Sequence, residues 1–144
     1  AVITKYQKRI SGPMLDRIDI HIEVPRVDYE KLSGDRMGES SETIRKRVQA
    51  ARDIQRARFS HIDSRNPIFS NADMRVGEIR QFCKLQDEGQ SLMRAAMSQL
   101  NLSARAYHRI LKLSRTIADL AGSEDIQSPH LAEALQYHPK IMMG

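Results

Sequence analysis

The sequence predicts a mainly α-helical protein in which a helical bundle follows a short α/β remnant with one orphan strand. Three observations support this fold class. Helix-forming residues dominate the 144-residue chain, which holds only 7 glycines, 5 prolines and 5% aromatic residues. One stretch, residues 18–24, alternates apolar and polar residues with a period of two. Longer stretches repeat apolar residues in steps of three and four, as one buried face of a helix requires.

The N-terminal sequence predicts two short helical segments, followed by a strand at the alternating residues 18–24. A basic helix is expected over residues 2–10, and Gly12 and Pro13 lead into a turn over residues 14–17. The strand ends at Pro25 and carries its apolar side chains at every second position: Ile18, Ile20, Ile22 and Val24.

The strand has no partner of comparable quality elsewhere in the sequence. Because an unpaired strand leaves its backbone donors and acceptors unsatisfied, we expect its partners outside this chain. The chain is therefore expected to be the C-terminal piece of a larger protein, cut through an α/β domain. The remnant occupies residues 1–26, which we expect to be displaced or to pair abnormally, and a helical domain occupies residues 27–144.

The helical domain is expected to contain about five main helices. A turn capped by Asp28 and a polar loop over residues 33–40 come first. A long helix over residues 41–59 follows, with the apolar stripe Ile44, Val48, Ala51 and Ile54. Further helices are expected over residues 75–85, 87–100, 103–121 and 128–137. Their predicted N-caps are Asn71 or Asp73, Asp87, Ser103 and Ser128. Three methionines are expected in or near the core: Met74, Met93 and Met97.

The helix within residues 102–122 has the clearest signals of the chain. Ser103 is a good N-cap, and Gly122 suits the left-handed residue that follows a last turn. Its apolar residues lie on one face: Leu102, Ala106, Ile110, Leu113, Ile117 and Leu120. Arg105 lies in the first turn, where the helix dipole disfavours a cation but attracts anions. This local penalty is the first indication of a functional residue.

Composition limits the classes of function. The net charge of +5 and pI near 9.6 permit binding to phosphates or nucleic acid without requiring it. Five scattered histidines lack metal-ligand spacing, so no metal site is expected. A single cysteine, Cys83, allows no internal disulfide and favours a reducing, cytoplasmic compartment. No apolar run reaches the ~18 residues of a membrane span.

Three sets of cations are candidate functional residues. Arg17, immediately before the strand, could project towards a neighbouring subunit or form an ion pair with Asp16 or Asp19. Arg105 could bind a phosphate or be a solvated first-turn side chain. The basic segment over residues 45–65 could contact nucleic acid, or it could be a solvated helix face; its candidate contacts are Arg45, Arg52, Arg56 and Arg58.

Two long motifs resemble a known family. Residues 9–25, RISGPMLDRIDIHIEVP, resemble the end of the ATPase core in magnesium-chelatase-like AAA+ proteins, within them the bacterial YifB/ComM family. Residues 103–112, SARAYHRILK, and residues 115–120, RTIADL, are similar to the C-terminal signature of that family. The closing HLAEALQY at residues 130–137 is similar as well. The family more often has Leu in place of Met14.

The resemblance implies roles for both isolated arginines. Arg17 would act in trans as an arginine finger on ATP bound to the next subunit, and Arg105 would be the sensor-2 arginine on the phosphates. Residues 1–26 would then be the end of an AAA+ core and residues 27–144 its helical lid. The phosphate loop and the acidic Mg²⁺-binding motif of the family would lie upstream, so ATP and Mg²⁺ belong to the full-length protein and the chain alone would be inactive.

The resemblance also implies partners. It predicts the lid and arginine-finger portion of a ring-shaped oligomer, expected to be a hexamer. This oligomer would couple ATP hydrolysis to remodelling of DNA by helicase or branch-migration activity. Two alternatives lack an ATPase role. One is an autonomous helical DNA-binding module, and the other is a bundle that mediates subunit contacts only.

Overall fold

The computed structural model of the chain describes residues 2–139 and is mainly helical. Within this range eight α-helices and one 3-10 turn, Asn71–Asp73, follow one another. The helices are α1 (Val2–Gln7), α2 (Gly12–Leu15), α3 (Tyr29–Ser33), α4 (Ser41–Phe59), α5 (Val76–Phe82), α6 (Asp87–Leu100), α7 (Ala104–Leu120) and α8 (Ser128–Gln136). This architecture confirms the predicted mainly helical fold class.

The core lies among α5 to α8 and the second half of α4. Helix α7 is its centre and packs against α4, α5, α8 and the 3-10 turn. Ala118 of α7 and Leu131 of α8 have no exposed surface, and the rings of Phe59 and Phe82 meet edge to face with centroids 5.5 Å apart. Met74 and Met93 are buried, and Met97 packs against the core, as predicted.

Local signals set most helix ends. The Ser40 hydroxyl accepts a hydrogen bond from the Thr43 N–H at 3.2 Å, and α4 spans the predicted residues. Gly122 follows α7 with φ of +67°, which favours glycine. Two predicted caps are wrong by one residue, because Gln86 and Gln127 precede α6 and α8. Arg75, rather than Asn71 or Asp73, precedes α5.

The predicted strand over residues 18–24 does not form within the described residues. The segment is irregular, and its four apolar side chains are 45–80% exposed. Its backbone contact with the bundle is one hydrogen bond from the His21 N–H to the Tyr137 carbonyl oxygen, at 3.0 Å. The physical reason is that no neighbouring strand supplies a ladder. The expected displacement of residues 1–26 relative to the full-length protein stays a prediction.

The predicted apolar stripe of α4 is only partly buried. Ala51 is 3% exposed, but Ile44, Val48 and Ile54 are 41%, 44% and 39% exposed. The bundle meets only the second half of α4, where Gln55 and Phe59 are buried instead. The first ten residues of α4 are all exposed and project beyond the core.

Candidate functional site

The start of α7 presents one arginine beside a capped helix end. The Ser103 hydroxyl accepts a hydrogen bond from the Ala106 N–H at 3.1 Å, which confirms the predicted cap. Ala106 is buried against the core, while Arg105 beside it is exposed. The packing of α7 therefore fixes Arg105 on the outside of the first turn, where the positive end of the helix dipole lies.

Arg105 lines a cleft of about 640 Å³ between α7 and the irregular segment that precedes α3. Arg109 and Lys112 follow it at helical spacing along the same wall, and His108 lies beside them. Asp19 is the one carboxylate among the residues lining this cleft. The wall of the cleft is therefore strongly cationic.

The other two cationic side chains of the cleft, those of Arg109 and Lys112, have hydrogen-bond partners within the chain. The Arg109 Nη1 donates to the Arg17 carbonyl oxygen at 2.7 Å and to the Asp19 carboxylate at 2.5 Å. The Lys112 Nζ donates to the Ala72 carbonyl oxygen at 2.9 Å. The Arg105 guanidinium makes no hydrogen bond or ion pair with any residue in the range 2–139. The five N–H donors of Arg105 are therefore available to an anion such as a phosphate group.

Arg17 lies just after α2 and is exposed. Its carbonyl oxygen is held by Arg109, but its guanidinium has no partner in the described part of the chain. Asp19 pairs with Arg109 instead, so the alternative of an ion pair between Arg17 and Asp16 or Asp19 is not observed. Arg17 is not among the residues that line the cleft of Arg105.

Three of the four arginines proposed as nucleic-acid contacts lie on one exposed face of α4. Arg45, Arg52 and Arg56 are spaced by seven and four residues, which places them within about 40° around the helix axis. Arg56 makes a long 3.5 Å contact with Asp53, and both side chains are mostly exposed.

Arg58 differs from the other three. Its guanidinium donates to both carboxylate oxygens of Asp119, at 2.8 and 2.5 Å, and to the Asn71 amide oxygen at 2.9 Å. The Arg58 side chain is only 12% exposed. Its assignment as a nucleic-acid contact is therefore corrected, because this guanidinium is held inside the bundle.

Asp119 is the centre of a buried polar network that sequence reasoning missed. Its fully buried carboxylate also accepts hydrogen bonds from the Arg115 Nε at 3.2 Å and the Asn71 Nδ2 at 2.8 Å. Arg115 in turn donates to the carbonyl oxygens of Ser123 and Glu124, both at 2.8 Å. The spacing of four between Arg115 and Asp119 in α7 was the available sequence signal.

The described part of the chain was also compared with the geometry of a metal site and of a membrane span. Within residues 2–139 no three His, Cys, Asp or Glu side chains cluster as a metal site would require. Burial raises the pKa of the Cys83 thiol to about 12. No helix in the same range is long and apolar enough to cross a bilayer.

Two family models match the chain. The model described as "Magnesium chelatase, subunit ChlI C-terminal" covers residues 38–138, and "Magnesium chelatase, subunit ChlI" covers residues 1–32. The first of these covers more than half of the chain, including the whole bundle.

Curated relatives point to the same family. Competence protein ComM of Haemophilus influenzae is 46% identical over 143 residues, which cover 98% of this chain and 26% of that protein. The uncharacterized protein YifB is 42% identical in Escherichia coli and 37% identical in Salmonella typhimurium, each over 134 residues that cover 92% of this chain. The chain spans about a quarter of the length of these relatives. The chain belongs to the magnesium chelatase ChlI family, as a magnesium-chelatase-like AAA+ protein of the ComM/YifB type.

Proposed function

We propose that this chain is the lid and arginine-finger portion of an oligomeric AAA+ ATPase that couples ATP binding and hydrolysis to remodelling of DNA. Residues 1–26 are assigned to the end of the ATPase core and residues 27–144 to the lid. The observation that carries the proposal is the unpartnered Arg105 guanidinium in a cationic cleft at the capped start of α7.

Arg105 is assigned to the phosphates of ATP in its own subunit. The donor set of the cleft fits an anion, since Arg109 neutralises the one carboxylate and Lys112 adds a positive charge to that of Arg105. The same donor set does not fit Mg²⁺, which prefers oxygen ligands. We therefore assign Mg²⁺ to residues of the full-length protein outside this chain.

Arg17 is assigned to the ATP of the neighbouring subunit. Its exposed guanidinium has no competing ion pair among residues 2–139, so it is available to an external anion. A delocalised cation with fixed planar geometry suits the charge that develops on a transferred phosphoryl group. The position of the lid would thereby depend on the nucleotide bound in its own subunit. The position of the arginine finger would depend on the nucleotide bound in the neighbouring subunit.

The test is ATP turnover by the full-length protein with Arg17→Ala or Arg105→Ala. We expect each variant to lose turnover by 10³-fold or so, as arginine-finger losses do, with an unchanged far-UV spectrum and unfolding midpoint. Arg65→Ala is the matched control, because its side chain is 87% exposed and lies in a loop. Normal hydrolysis in both arginine variants would overturn the assignment.

A second candidate function is direct DNA binding by the basic face of α4 formed by Arg45, Arg52 and Arg56. If it holds, the chain alone binds duplex DNA, and each lost phosphate contact lowers the slope of log K against log salt by about 0.9. Reversing these three charges should remove binding, whereas reversing Lys5 and Lys8 should not. Absence of binding at low salt would exclude this function for the chain.

A further inference from the structure

Arg109 joins the helix that carries Arg105 to the turn that carries Arg17. Its Nη1 donates to the Arg17 carbonyl oxygen at 2.7 Å and to the Asp19 carboxylate at 2.5 Å, so it holds the chain on both sides of Ile18. Arg109 follows Arg105 by four residues, which places the two on one face of α7 about 6 Å apart along its axis. One helix face therefore carries the assigned phosphate ligand and holds the backbone of the assigned arginine finger.

Apolar packing supports the same contact. Leu15 and Ile18 lie against α7 and α8, and the void left there is only about 20 Å³, which is room for about one water molecule. The apolar helix residues that line this void are Ala106, Ile110, Leu113 and Ala134. The His21 N–H adds its hydrogen bond to the Tyr137 carbonyl oxygen at 3.0 Å. Contacts of three kinds, ionic, apolar and backbone, thus hold residues 15–21 on the bundle.

The contact with Arg109 leaves the functional group of Arg17 free. It engages the backbone carbonyl oxygen of Arg17 and the carboxylate of Asp19, whereas the Arg17 guanidinium makes no ion pair among residues 2–139. The Arg109 and Asp19 side chains are 32% and 51% exposed, so their ion pair lies at the surface and is open to substitution. Arg109 therefore fixes the position of Arg17 without occupying the group that is assigned to the nucleotide.

We propose that Arg109 is a positioning residue that couples the two nucleotide contacts of one subunit. Because it joins residues 17–19 to α7, a shift of that helix when Arg105 gains or loses a phosphate also moves Arg17 in the neighbouring site. This inference rests on the proposed function for the roles of Arg105 and Arg17. It requires residues 17–19 to keep their place on α7 in the full-length protein, whatever strand partners the residues after them gain there.

The first experiment is a double-mutant cycle on ATP turnover by the full-length protein. Arg109→Ala should lower kcat by roughly 10–100-fold with little change in KM, because a misplaced finger weakens transition-state stabilisation while Arg105 still holds the bound nucleotide. In the Arg17→Ala background the same substitution should have no further effect, since Arg109 acts through Arg17. A merely structural loss would lower turnover in both backgrounds and would overturn the proposal.

Asp19 separates positioning from simple charge neutralisation. Asp19→Ala should lower kcat by a smaller factor than Arg109→Ala, because the contact with the Arg17 carbonyl oxygen remains. The double variant Arg109→Ala/Asp19→Ala should stay as slow as Arg109→Ala alone. Recovery of turnover in the double variant would overturn the proposal, because Arg109 would then serve only to neutralise the Asp19 carboxylate. Arg94→Ala is the matched control and should turn over ATP as the wild type does, since Arg94 is exposed on α6 and has no ion pair in the described range.

Hydrogen exchange in this chain tests the contact without any nucleotide. The His21 amide is protected by its hydrogen bond to Tyr137 while residues 15–21 lie on the bundle. Arg109→Ala should raise its exchange rate by about tenfold or more. The Ser123 amide, which donates to the Ala118 carbonyl oxygen at 2.9 Å, should keep its rate. An unchanged rate at His21 would overturn the proposal, because the contact would not hold this segment in place.

These experiments distinguish failure of the coupling from failure of the proposed function. Loss of turnover in Arg17→Ala together with wild-type turnover in Arg109→Ala would overturn the positioning role alone. Wild-type turnover in Arg17→Ala would overturn the proposed role of the finger and the coupling that rests on it, and the exchange rate of His21 would still report the contact. A slow Arg109→Ala variant, no further loss in the Arg17→Ala background and faster exchange at His21 are together the result that we expect.

Discussion

Replacing Asp119 with Ala tests the buried polar network that holds α4, the 3-10 turn and α7 together. The Asp119 carboxylate is fully buried and accepts hydrogen bonds from Arg58, Arg115 and Asn71. Its removal leaves the Arg115 and Arg58 side chains, 5% and 12% exposed, without their counter-charge. The chain must then either bury uncompensated charge or open α4 to water.

Breaking a buried ion pair by removing one partner costs about 3–5 kcal/mol. The lower end applies here, because Arg115 keeps its two carbonyl acceptors at Ser123 and Glu124 and Arg58 keeps the Asn71 amide oxygen. We therefore expect the free energy of unfolding to fall by about 3 kcal/mol and Tm to fall by about 10 °C. The double variant Asp119→Ala/Arg58→Ala should cost less than the sum of the single variants, since it also removes the orphaned cation.

Urea denaturation followed by far-UV circular dichroism measures these differences. Asp53→Ala is the control, because Asp53 is 61% exposed and its ion pair with Arg56 should contribute at most about 1 kcal/mol. A loss below about 1 kcal/mol for Asp119→Ala would refute the argument, as it would mean that water already solvates the network.

Three further predictions concern single side chains. Ser103→Ala should cost about 1 kcal/mol of stability in the same urea assay, because it leaves the Ala106 N–H without its cap, and no loss would show that water replaces the hydroxyl. Cys83 should react with a disulfide reagent at pH 8 about a thousandfold more slowly in the folded chain than in urea, since its folded pKa is about 12 against 9.0. The stability that comes from this protonated thiol is complete below pH 9 and lost as pH rises towards 12; fast labelling of the folded chain would contradict the burial. Arg58→Ala should be destabilised by more than 1 kcal/mol in urea, whereas Arg52→Ala should stay within about 0.5 kcal/mol, and equal effects would contradict the different environments.

Local signals made much of the bundle predictable. The Ser40 and Ser103 caps and the Gly122 stop act within one helical turn, so the sequence alone located the bounds of α4 and α7. The exposed first-turn position of Arg105 followed from the same signals. Its role as a phosphate ligand remains a prediction.

Non-local contacts were not predictable in this way. The hydrogen bonds that join Arg58 and Asn71 to Asp119 connect residues 61 and 48 positions apart, and no spacing rule relates them. The cleft contact between Arg109 and Asp19 spans 90 positions. Strand formation also depends on a distant partner, so alternation alone was not enough to make residues 18–24 a strand. The predicted burial of the whole apolar stripe of α4 was wrong for the same reason, because packing partners decide which half of an apolar face is buried.

The central claim is that Arg105 and Arg17 contact two different ATP molecules, one in the same subunit and one in the next. Mixing full-length Arg17→Ala and Arg105→Ala subunits tests this claim directly. A site is then complete where a subunit with intact Arg105 meets a neighbour with intact Arg17. Random 1:1 assortment in a cyclic ring should therefore restore about a quarter of wild-type ATP turnover from two inactive variants. A mixture that remains as inactive as its components would contradict the account.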